Sequence, residues 1–96
     1  MHFCGIILEG EHVVAPDVEG DFRISTRRGG TQYWEGQLYV PPDAAIYDGG
    51  TYTLRLDDGR EGEILVGGGP YISARRNSFA FKGNGRPPSG SQNGLP

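Results

Sequence analysis

Ninety-six residues with only 35% apolar side chains and 17 glycines exclude a long helical bundle, because each glycine inside a helix costs about 1 kcal/mol relative to alanine. The formal net charge is −3 and the chain has one cysteine. Nucleic-acid binding driven by a global basic field and a disulfide-stapled scaffold are therefore both excluded.

The start, Met1 to His12, has an apolar patch but no basic leader, and acids follow at once. It does not read as a signal peptide, and no run is long enough to cross a membrane as a helix. With an unpaired Cys4, this points to a reducing, cytoplasmic setting. His2 to Glu9 reads as a first strand, with Ile6, Ile7 and Leu8 β-prone. Gly10-Glu11 turns it into His12 to Val14. Pro16 is expected to end regular pairing, leaving Asp17 to Gly20 as a loop.

Asp21 to Arg28 alternates, with Phe22, Ile24 and Thr26 on one face. Thr31 to Val40 returns. A two-residue Gly29-Gly30 loop would set Ile24 against Glu35, apolar against polar. A three-residue loop, Arg28-Gly29-Gly30, pairs Ile24 with Trp34, Phe22 with Gly36 and Arg23 with Glu35. That register suits both faces, and it predicts a type I turn with Gly30 left-handed in a bulge. Pro41-Pro42 stops the strand, and Asp43 to Ile46 has room for one helical turn.

Thr51 to Val66, TYTLRLDDGREGEILV, is the clearest hairpin. A three-residue Asp57-Asp58-Gly59 loop pairs Leu54 with Gly62, Tyr52 with Ile64 and Arg55 with Glu61. The two hairpins form a weak internal repeat, each with a glycine across from a large apolar residue. Such glycines permit sharp bends, which a small closed wall needs. Gly67-Gly68-Gly69-Pro70 is a break. Tyr71 to Lys82 is read as a third hairpin turning at Arg76-Asn77, with Ala74 across from Phe79 and Ile72 across from Phe81. The expected fold is all-β: a small antiparallel barrel or compact sandwich of about six strands over residues 1–82. Gly83 to Pro96, GNGRPPSGSQNGLP, is expected to be a flexible tail.

Chemistry-bearing constellations are sparse. His2, Cys4 and His12 are the only soft metal ligands, one fewer than a structural zinc site uses. No nucleophile stands beside a base and an orienting acid, and Gly67-Gly68-Gly69 lacks the Lys-Ser/Thr of a phosphate loop. The expectation is a non-enzyme with neither metal nor cofactor. The best binding signal pairs basic hairpin tips (Arg27, Arg28, Arg75, Arg76) with outward tyrosines (Tyr33, Tyr39, Tyr71). Another protein is the expected partner. A single-stranded nucleic acid is the alternative, disfavoured by net charge. Hairpin edges also offer pairing between two copies, a homodimer. Charge is segregated: residues 1–21 carry five acids and no Lys or Arg, residues 71–96 four bases and no acid. The two ends are therefore expected to lie side by side.

Overall fold

The computed structural model describes residues 1–72 and 75–88. Among them there is no helix, and none long and apolar enough to cross a membrane. Strands β1 (His2–Glu9), β2 (His12–Thr26) and β3 (Gln32–Val40) form an antiparallel meander. Strand β4 (Thr51–Leu56) returns to lie beside β1, giving a Greek key, and β5 (Glu61–Val66) pairs with β4. Strand β7 (Asn77–Gly83) then bridges β5 and β3 and closes a six-stranded barrel. The two-residue β6 (Tyr71–Ile72) continues the line of β5 along β7 beyond a break at Gly69-Pro70. Of the two architectures compatible with the sequence, closure by β7 selects the barrel over the sandwich.

Both long hairpins adopt the expected registers. Ile24 faces Trp34 and Phe22 faces Gly36; Leu54 faces Gly62 and Arg55 faces Glu61. The Asp57-Asp58-Gly59 loop has only Gly59 at positive φ, 93°, as a type I turn with a bulge requires. Asp58 accepts hydrogen bonds from the Arg60 backbone N–H and from its Nε. The backbone bond, then the side-chain bond and charge, hold its carboxyl below the usual range against partial desolvation. The turn thus keeps this support above the ordinary carboxylate range and loses it as pH falls through the lowered value. The β2–β3 loop differs in detail. Gly29 and Gly30 both have positive φ, 93° and 87°, and a left-handed Gly29 marks a type II turn rather than type I.

Three expectations are corrected. Pro16 does not end pairing: β2 runs unbroken, with register shifts between Gly5 and Ile7 and between Ile7 and Leu8 of β1. Pro16 falls inside the first bulge, where no ladder N–H is needed, and Val18 beyond it is fully buried. Residues Pro41 to Ala44 close a single β-turn instead of a helical one, and Ile46 plugs the core. Finally, Tyr71 faces Ser78 and Ile72 faces Asn77. The connection is longer than Arg76-Asn77, because Phe79 and Phe81 are buried by β3 and β5 rather than by Ala74 and Ile72. Residues 73–74, on which part of that reading falls, lie outside the described residues.

The core is a closed ring of four aromatic side chains. Phe3–Phe22, Phe22–Trp34 and Trp34–Phe81 centroids are each 5.7 Å apart, and Phe3–Phe81 is 6.4 Å. These are edge-to-face and tilted contacts, worth about 0.5–1.5 kcal/mol each beyond area burial. Leu38, Leu54, Ile64, Val66 and Ile7, all fully buried, fill the rest. Residues 84–88 follow the barrel wall. Asn84 N–H donates to Glu63 O at 2.8 Å, Trp34 Nε1 donates to Gly85 O at 3.3 Å, and Pro88 is buried. The remainder of the expected tail, 89–96, lies outside the described residues.

Candidate functional site

Strand alternation places Tyr33, Glu35, Gln37 and Tyr39 on the outer face of β3, because Trp34, Leu38 and Val40 point into the core. Paired residues share a face, so the register writes this surface out row by row. Glu19, Tyr39, Ser78 and Tyr71 form one row across β2, β3, β7 and β6. Asp21, Gln37 and Ala80 form the next, and Arg23, Glu35 and Lys82 the third. Ser25 and Tyr33 form a fourth where only β2 and β3 remain.

Between the second and third rows lies a groove of ≈ 530 Å³. Gly36 contributes to its floor, flanked by the backbone of Phe22 and Phe81. The groove exists because Gly36 lets β2 and β3 close up: a Cβ there would overlap the Asp21 carbonyl oxygen. Ala80 leaves the β7 side low.

The structure splits the sequence-predicted binding residues into two groups. Arg27 lies over the Tyr33 ring at 4.4 Å, near the exposed β2–β3 tip that carries Arg28. Arg76 lies over Tyr39 at 4.9 Å and reaches Glu19 at 3.5 Å. Exposed Arg75 and Tyr71 belong to this second end. Tyr33 and Tyr39 are six residues apart on one strand, about 20 Å. The four arginines therefore do not converge. They bracket a face whose middle is zwitterionic.

That middle escaped sequence reasoning in part. The Arg23–Glu35 pair, now 3.0 Å, was legible from the hairpin register. Asp21, Gln37, Ala80 and Lys82 were not singled out. β7 meets β3 from more than thirty residues away, and no local pattern marks that pairing. The Glu19–Arg76 pair also joins the acidic start to the basic end, as the charge segregation suggests.

The titratable groups outside this face separate. His12 lies across from Glu9, whereas Cys4 lies across from Glu19. The Cys4 thiol is exposed, and local desolvation, then the charges of Glu19, Asp57 and Asp17, raise its pKa above the usual thiol range. A raised thiol pKa lowers the thiolate fraction at neutral pH, the opposite of an activated nucleophile. Iodoacetamide is expected to alkylate Cys4 more slowly than free cysteine at pH 8, with the rate still climbing above pH 9. Glu19→Gln should speed it. Alkylation as fast as free cysteine would refute this electrostatic setting.

No protein-family model matches the chain, no curated protein matches its sequence, and no solved structure matches its fold.

Proposed function

We propose that this chain is a non-catalytic β-barrel module that docks another protein through the outer face of β2, β3 and β7. The observation that carries this reading is the composition of that face. Tyrosines with stacked arginines stand at both ends, and acids and bases interleave around a shallow groove between them. Tyrosine and arginine are enriched in protein interfaces, and mixed charge sets register and partner choice. Single-stranded nucleic acid asks for something else: open aromatic faces in a field of one sign. Here Arg27 and Arg76 cover the tyrosine rings, while Glu19 and Glu35 offset nearby positive charge. A cytoplasmic setting belongs to the same reading, on the strength of one cysteine without a disulfide partner.

Quantitative affinity capture from matched extracts tests it, with the wild type beside Tyr39→Ala/Lys82→Glu. The expected result is a defined protein enriched on the wild type and reduced by about tenfold or more on the variant, as for loss of an interface anchor. Identical captured sets would remove this face as the docking surface. A fluorescent single-stranded oligonucleotide that binds at low salt and dissociates as salt rises would install the nucleic-acid reading instead.

A further inference from the structure

The rows of the outer face have an internal symmetry. We infer that the face is self-complementary and that a second copy of this chain docks on it, about a two-fold axis running across the strands between the Asp21 row and the Arg23 row. This rests on the docking reading above and names its partner.

An axis in that place turns each strand antiparallel onto its own copy and exchanges the rows. Asp21 then meets Arg23 of the second copy, and Arg23 meets Asp21 of the second copy. Gln37 meets Glu35, an amide donor against a carboxylate. Tyr39 meets Tyr33, and the Arg76 and Arg27 guanidiniums that lie over these rings meet there too. Lys82 lies over Ala80 of the second copy, whose small side chain leaves space for the lysine stem. Apart from those two guanidiniums, every opposed pair is attractive or sterically permissive, and each attractive one is made twice. An axis moved along the strands by half a row weakens this. On the Asp21 row it keeps an attractive Arg23–Glu19 contact but sets Asp21 against Asp21. On the Arg23 row it sets Arg23 against Arg23. Charge placement therefore favours the axis between the two rows.

Three local facts support occupancy of this surface. Arg23 is 77% exposed despite its bond to Glu35, leaving guanidinium donors open to a second carboxylate. The Asp21 carboxylate is 64% exposed, and among the described residues its one ion pair is with His2, at 3.9 Å. Lys82 has no ion pair among the described residues. The face is small: four rows and four strands span about 20 Å by about 19 Å. That places the complex in the weak, transient class, with dissociation in the micromolar range.

Sedimentation velocity across a concentration series, from about 5 to about 500 μM, tests the inference. The wild type should shift from one copy to two, and added salt should weaken the shift. Asp21→Arg alone and Arg23→Asp alone each set like charges together and should weaken association by at least about tenfold. Mixing the Asp21→Arg chain with the Arg23→Asp chain restores opposite charges at both contacts, so the mixture should form a heterodimer. Circular dichroism checks that each variant is folded. If either fails to fold, Gln37→Lys, which sets a cation against Glu35 of the second copy and should tighten association, and Glu35→Gln, which removes that carboxylate and should weaken it, replace them. A wild type that stays a single copy throughout the series overturns self-docking. So does a dimer that ignores both charge reversals. Neither result touches docking of a different protein, which the capture comparison reads separately.

Discussion

Trp34→Ala is expected to cost about 3–5 kcal/mol of folding stability, the largest loss from any single truncation in this chain. Trp34 is 1% exposed and holds two of the four contacts in the aromatic ring, to Phe22 and Phe81. Its six-membered ring also packs where Gly62 lacks a side chain, with the Pro88 ring beside that glycine. Its indole N–H is the link to the Gly85 carbonyl, so truncation also frees residues 84–88 from one anchor. A domain of this size has only about 5–15 kcal/mol in total, so the variant should be largely unfolded at modest urea. Urea titration followed by far-UV circular dichroism measures the difference. Trp34→Phe should lose less, since it keeps the ring stack and gives up only the second ring and the N–H. A loss below about 1 kcal/mol for the alanine variant would mean that Trp34 is not the centre of the core.

Trp34 also shows what the sequence makes legible. Its inward orientation follows from the β2–β3 hairpin alone, because only the register with Ile24 opposite keeps both faces consistent. The same argument fixes Leu54 against Gly62 and separates Leu54 inside from Glu63 outside. Where two strands are joined by a short turn, side-chain alternation carries enough information to set their pairing. It fails where the partner is distant. Nothing near Asn77 to Gly83 in the chain says that β3 lies on one side and β5 on the other. Local pattern offers only a hairpin with the adjacent Tyr71-Ile72. Its register is displaced because the burial of Phe79 and Phe81 is decided by those two distant strands. Pro16 failed for a related reason. Proline forbids a ladder N–H, and a bulge supplies a place in a long strand where none is required.

The candidate site follows the same division. Arg27, Arg76, Tyr33 and Tyr39 were legible as an aromatic–basic set, but not as two pairs at opposite ends of one strand. The residues between those ends depend on β7, so the zwitterionic groove became visible only with closure of the barrel. That changes the weight of the arginines. Brought together, they would make a phosphate-binding surface; held apart by Glu19, Asp21 and Glu35, they form a face that carries charges of both signs.

Gly36→Ala should be the most damaging change that adds a single methyl group, with a loss of about 1–3 kcal/mol or more. The new Cβ would overlap the Asp21 carbonyl oxygen and lie 2.7 Å from Phe22 Cα and 2.8 Å from the Asp21 carbonyl carbon. All three atoms are backbone, so no rotamer change relieves the clash; β2 and β3 must separate. Separation would strain the Phe22–Trp34 contact on the inside and reshape the groove on the outside, because Gly36 pairs with Phe22 and lines the groove. Gly67→Ala is the matched control. It also lies at the groove, yet an added Cβ there meets nothing within 4 Å and its φ is not in the left-handed region. That variant should be neutral, or gain up to about 1 kcal/mol by restricting the unfolded chain. Parallel urea melts of the two variants decide the point. Equal stabilities would show that β2 and β3 do not approach so closely at Gly36, and that the groove has a different floor.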